Sequence, residues 1–204
     1  MAFRQIDSPE DLKKFNEIIF EKMGFRYPYL YLRRSDVYVW DRRGAFLAGF
    51  VLCPFAGWSG FRSLKQIPDK RFMEVVDRIR NDKILGKVNK TDFMEYTGYF
   101  ISDKSIGLIF TLLMVFTAVM KAPYFVLSFD KSKHNLAKYY GHGKPMILYT
   151  GPVKYFIQNE IGELIACDGT ETVEILSGFG IIKIFCWRTI KEFKRCLSTL
   201  FRQI

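Results

Sequence analysis

The chain has 204 residues, 49% of them hydrophobic and 25% charged, which suits one globular domain with a full core. Aromatic residues reach 17%, including 20 Phe and 11 Tyr, so the fold needs a large core or an apolar pocket to cover them. The net charge of +10 divides evenly between the two halves and forms no basic tail, which excludes a polybasic arm. Beyond a solvated surface, this charge leaves open an acidic partner, a phosphorylated cofactor, an anionic membrane or nucleic acid.

Cys53, Cys167, Cys186 and Cys196 show no C-x-x-C spacing, and residues 1–22 are charged throughout. The expectation is reduced thiols in a cytoplasmic protein, with no disulfide framework and no signal segment.

Asp7-Ser8-Pro9-Glu10 predicts a helix start, with a cap, a first-turn proline and early acids. Leu12, Phe15, Ile18, Ile19 and Met23 then share one face, and Gly24 ends the helix. Val37–Trp40 and Ala45–Cys53 read as strands joined by the turn Asp41-Arg42-Arg43-Gly44. Residues 54–70 are rich in Gly, Pro and Ser and predict a loop. A charged helix from Lys70 to about Lys83 turns Phe72, Val75, Val76 and Ile79 inward.

Met94–Ile101 predicts a strand, followed by a short turn, an apolar helix over 106–121 stopped by Pro123, and a strand Tyr124–Phe129. Ser105 to Met120 carries no charge. A helix of that length reaches about 24 Å, short of the roughly 30 Å hydrocarbon layer, so a core helix buried beneath the sheet is expected. The strand–helix–strand order predicts a parallel pair. A lysine-rich helix from about Lys133 to Tyr140 ends at Gly141.

After Gly151, strands are predicted at Val153–Ile157, Val173–Leu176 and Gly180–Trp187. A last helix, Thr189–Ile204, places Ile190, Phe193, Leu197, Leu200 and Phe201 on one face. The fold class is α/β, a mixed central sheet flanked by helices. One domain spans 1–204, with its core in about 1–150 and a C-terminal extension of strands and an amphipathic helix in 151–204.

Several chemistries are excluded. His134 and His142 lack metal-ligand spacing, so no zinc site is expected. Gly57-Trp58-Ser59-Gly60-Phe61 lacks the last glycine of a nucleophile elbow. Gly178-Phe179-Gly180 lacks the third glycine of a dinucleotide fingerprint, and no phosphate-binding P-loop is present.

What remains is an order of elements. A helix precedes a hairpin ending Ala48-Gly49-Phe50-Val51-Leu52-Cys53-Pro54. A strand with an early glutamate follows, Glu95-Tyr96-Thr97-Gly98-Tyr99-Phe100-Ile101. A turn opens a helix at Ile106-Gly107, then come the strand Phe125-Val126-Leu127-Ser128-Phe129 and Asn135-Leu136-Ala137-Lys138-Tyr139-Tyr140-Gly141. This layout resembles the GNAT-type N-acyltransferases over roughly residues 10–150. The long span from Gly49 to Ile101 is similar to the branch of autoinducer synthases and long-chain N-acyl amino acid synthases. Gly98 stands where the autoinducer synthases carry arginine, which points away from lactone synthesis.

The resemblance implies acyl transfer from a phosphopantetheine thioester, on coenzyme A or acyl carrier protein, to a small-molecule amine. It implies Glu95 as general base, Tyr139 or Tyr140 as proton donor to the leaving thiolate, and a strand N–H near Tyr99 to Ile101 on the thioester carbonyl. Ile101, Ser102, Lys104, Ser105, Ile106, Gly107 and Asn135 would hold the donor, with its phosphates at a helix N-terminus. Trp58, Phe61 and Tyr99 would meet the substrate. Each residue also has a plain reading: Glu95 at a strand edge, the tyrosines in packing, Lys104 in solvent, Trp58 and Phe61 as loop anchors. An acidic carrier protein would suit the +10 surface; nucleic acid and metal are not expected. The alternative is an inactive GNAT-shaped module binding a protein or nucleic acid. Lys191, Lys194, Arg195 and Arg202 also leave peripheral membrane contact open through 189–204.

Overall fold

The computed structural model describes residues 1–130, 140–158 and 164–200. The first helix, α1 (Pro9–Met23), forms as its caps dictate: Ser8 accepts from the Asp11 N–H at 3.1 Å, and Gly24 closes it at φ 77°. Before it lies a strand the sequence did not announce, β1 (Ala2–Ile6), pairing antiparallel with β2 (Asp36–Arg42). The hairpin from β2 to β3 (Ala45–Pro54) turns through Arg43 and Gly44, at φ 55° and 81°.

The stretch 54–70 is more ordered than a loop. It holds a 3-10 turn at Trp58–Gly60 and a short helix, α3 (Arg62–Lys65). An earlier short helix, α2 (Tyr29–Arg33), was not expected, whereas α4 (Asp69–Asn81) was. Then come β4 (Phe93–Ile101), α5 (Gly107–Lys121), β5 (Tyr124–Asp130), β6 (Met146–Gln158), β7 (Leu164–Ser177) and α6 (Gly178–Leu200). The segment expected as the strand Gly180–Trp187 is helix instead. Its Ile-Ile-Lys-Ile-Phe composition favours a strand locally, but Ile181 and Ile184, three apart, pack onto the sheet beside Leu127 and Leu176.

Among the described residues the sheet has the order β1-β2-β3-β4-β5-β7-β6, parallel only between β4 and β5. One face carries α1 and α4: Leu12, Phe15 and Ile19 meet Val37, Val39 and Val51, while Val75, Val76 and Ile79 meet Phe93, Val126 and Val173. The other face carries α5 and α6, with Phe110 and Ala118 against Phe50 and Phe125.

The expectation for α5 needs correction. Its inner residues Phe110, Thr111, Val115 and Ala118 are buried, but Leu108, Ile109, Leu112, Phe116 and Met120 face solvent. Composition reports that a helix is apolar all round; it does not report that only one side finds a partner.

Candidate active site

The geometry centres on the join of β4 and β5. They pair over three positions only: Phe93 with Tyr124, Met94 with Phe125, and Glu95 with Val126. Beyond these the strands splay, leaving the β5-facing amides and carbonyls of β4 without a strand partner.

On its other edge β4 is bulged. Thr97 opposes Val51 and Phe100 opposes Gly49, so Gly98 and Tyr99 together face Phe50. Gly98 sits at φ 65°, and a Cβ there would come within 3.0 Å of Val51 Cγ2. The bulge changes the alternation of side chains. Tyr96 and Tyr99, three apart, both turn to the α5 face, where Tyr99 Oη lies 3.1 Å from Thr111 Oγ1. Phe100 returns to the opposite face, 5.7 Å from the Phe15 ring. Both rings press on Gly49, where any Cβ would lie 2.7 Å from each.

A cleft of about 420 Å³ opens in the splay. Its walls include Tyr96 to Tyr99 from β4, Leu127 to Asp130 from β5, and Tyr140, with Tyr27, Arg62 and Glu171 at one end. Asn16 of α1 brackets the Tyr27 backbone through bonds of 2.7 and 2.8 Å, and the Tyr27 hydroxyl reaches Thr97 Oγ1 at 2.7 Å. Arg62 lies over the rings of Phe25 and Tyr27, at 5.0 and 5.3 Å, and its buried Nε has no partner. With the Gln66 amide oriented to satisfy both neighbours, it accepts from Arg62 at 3.0 Å and donates to Glu171 at 3.2 Å. A second hollow, on the far side of Arg62, gathers Arg34, Lys65 and Lys154 without an acid in its lining.

Glu95 is not where an acceptor amine could meet it. It is 0% exposed. It accepts from Tyr31 Oη at 2.7 Å, from the backbone N–H of Arg62 at 2.8 Å and of Ser63 at 2.6 Å, and from the Ser63 hydroxyl. A carboxylate has about four acceptor positions, and all are taken. Burial, and then the charge of Glu95, hold the Tyr31 phenol well above its ordinary pKa, so it stays a donor. Glu95, expected as the general base, thus fastens the N-terminus of α3 to β4.

Other expectations divide. Tyr99 and Tyr140 line the cleft. Trp58 and Phe61 do not: they pack with Phe55 and Phe93 beneath the α4 face as core aromatics. Asn135 and Tyr139 lie outside the described residues.

The turn from Ile101 to Gly107 is self-capped. The Ser102 N–H bonds to Leu47, and Asp103 accepts from the Ser105 N–H at 2.9 Å and its hydroxyl at 2.7 Å. Ser105, through its hydroxyl and then its amide, holds the Asp103 carboxyl below its usual pKa. Ile106 is buried in the core and Gly107 begins α5, while Lys104 points to solvent. The Asp103 carboxylate therefore occupies both Ser105 donors. The cluster of Arg62, Gln66 and Glu171 was missed because two distant segments build it and no local spacing marks it.

A mixed sheet with one parallel pair that splays, a bulge in its first strand and a helix opening directly after that strand agree with the solved structures that the chain is similar to. The chain has a GNAT-like fold. FeeM, an N-acyl amino acid synthase from uncultured soil microbes, is similar with a TM-score of 0.53 at 10% identity, over 87% of this chain and 90% of that one. A ribosomal-protein-alanine N-acetyltransferase from Brucella melitensis matches at 0.47 and 13% identity, over 87% and 99%. A putative acetyltransferase from Salmonella typhimurium, solved with acetyl-CoA, matches at 0.46 and 11% identity, over 87% and 93%. No protein-family model matches the chain, and neither does any curated protein sequence. In GNAT terms the described residues contain no metal-binding cluster, and the splayed pair is the part of the fold that positions the cleft.

Proposed function

We propose that this chain is an N-acyltransferase, moving an acyl group from a phosphopantetheine thioester to an amine that enters from the Arg62 and Glu171 side. The observation that carries the reading is the cleft between splayed β4 and β5, bulged at Gly98. Unpaired strand amides can hold the amides of an extended donor arm, and a strand N–H beside the bulge can polarise the thioester carbonyl.

The amine nitrogen attacks the carbonyl carbon, the C–N bond forms and the C–S bond breaks. The thiolate takes a proton from Tyr140, in the cleft wall. With Glu95 occupied, the proton from the attacking amine passes through water to Glu171, which lines the same cleft. Arg62 suits an acceptor carrying a carboxylate, a class consistent with the N-acyl amino acid product in the name of FeeM. Acyl carrier protein is the donor form that the +10 surface favours over free coenzyme A.

Asp103 favours a second reading. Its carboxylate, capping the 3-10 turn that leads into α5, opposes phosphate there, as in a GNAT-shaped binding module that has lost turnover. The deciding experiment follows thiol release with acyl-CoA and acyl carrier protein donors against a panel of amines, with product mass confirmed. Acylated amine supports the enzyme. No donor binding and no product under any pairing overturns it in favour of the module.

A further inference from the structure

The outer side of α5 is the least expected surface of this molecule. Leu108, Ile109, Leu112, Phe116 and Met120 follow one stripe of the helix, with Phe116 65% exposed and Met120 71%. The helix α6 starts beside the end of α5, its Gly178 N–H donating to the Pro123 carbonyl at 2.8 Å, and its first turn exposes Phe179 at 66%. Single exposed apolar residues are ordinary; a stripe of five large ones joined by a second helix is not.

The charges within the two segments have one sign: residues 104–121 and 178–187 contain Lys104, Lys121 and Lys183 and no aspartate or glutamate. Lys183 holds its ammonium 4.6 Å from the centre of the Phe179 ring. At the two ends of α5, Asp103 accepts from Ser105 and Asp36 pairs with Lys121 at 3.1 Å, so Lys104 and Lys183 carry the positive border. An apolar face bordered by cations matches the two layers of an anionic membrane surface, acyl region and headgroup.

Spanning is excluded although Lys104–Lys121 is long and apolar enough by length and composition. The inner side of the same helix, Phe110, Thr111, Val115 and Ala118, is committed to the sheet.

We infer that this chain docks on anionic bilayers through the outer side of α5 and the first turns of α6, lying in the interface plane. This goes beyond the acyltransferase reading and does not depend on it. The surface is also distinct from the 189–204 helix to which the sequence pointed.

The test is flotation of the full chain with phosphatidylcholine vesicles and with vesicles containing about one-third phosphatidylglycerol. Binding is expected to the anionic vesicles only, weakening as salt rises. The triple substitution Leu112→Ser, Phe116→Ser, Met120→Ser removes side chains that already face solvent, so it should fold, as circular dichroism will check. It should lower partitioning at least about tenfold. Any turnover on water-soluble donors should be unchanged in that variant, which separates the failure of this proposal from failure of the acyltransferase reading. Absence of binding to either vesicle, or binding that the triple variant retains, overturns the proposal. Light scattering that finds a dimer abolished by the triple variant assigns the face to a second copy of the chain and overturns it equally.

Discussion

Tyr31 donates its phenolic hydrogen to Glu95 Oε2 across 2.7 Å, with both side chains buried. This bond ties α2 to β4, and the same carboxylate ties down the start of α3. A single acid therefore fastens two short helices that have no side-chain cap of their own.

Glu95→Gln should therefore act on stability first. An amide NH₂ must face at least one of the donors that a carboxylate now accepts, leaving a buried N–H pair in conflict. The expected loss is about 2–4 kcal/mol in denaturant unfolding. Full stability together with turnover reduced about 10²- to 10⁴-fold would instead restore Glu95 as the base.

Leu112→Asp should be tolerated, because Leu112 is 51% exposed on the outer side of α5. Phe110→Asp, two residues earlier and fully enclosed, should abolish soluble expression, since an unpaired buried carboxylate costs several kcal/mol. Comparing soluble yield of the two variants checks which side of the helix the sheet covers.

Gly98→Ala should destabilise by about 1–2 kcal/mol. The backbone there is left-handed and the new Cβ meets Val51. If the bulge also presents the amide that polarises the thioester, donor turnover falls further than stability explains, which a comparison of melting with initial rates will show.

Asp103→Asn keeps a capping side chain on the 3-10 turn that leads into α5 and removes the charge that opposes phosphate. Affinity for a coenzyme A donor should rise about two- to fivefold by calorimetry. No change, or weaker binding, would place the donor phosphates elsewhere.

Glu174 gives the fold a pH dependence. Burial pushes its carboxyl up to about 7, and its Oε1 has no partner. The folded state therefore binds the proton more tightly than the unfolded chain, whose carboxyl titrates near 4.5. The contribution to stability is full below about pH 4.5 and is lost as pH rises through about 7, by at most about 3 kcal/mol. Glu174→Gln should flatten this slope and raise stability at pH 8, as read by denaturant midpoints across pH.

Much of the frame was legible because it is written locally. Ser8 and Gly24 mark α1, Arg43-Gly44 marks the hairpin, and Pro123 marks the end of the crossover helix. What was missed is set by distant neighbours. The short edge strand β1, with Arg4 and Gln5 in its middle, has no apolar alternation to reveal it. The first half of α6 has strand-like composition and becomes helix through contacts with Leu127 and Leu176. The enclosure of Glu95 needs Tyr31, Arg62 and Ser63, which lie 32 to 64 residues away along the chain. No window on the sequence contains them together.

The three paired positions between β4 and β5 also make a mechanical statement. β1 to β4 form one plate and β5, β7 and β6 another, fastened at a single corner and strapped by α5. A body wedged between the plates bears on both, so its length is gauged by how far the corner can flex rather than by any one side chain. Hydrogen exchange should register this as slowing in both plates at once, even in strands such as β2 and β6 that the wedge does not touch.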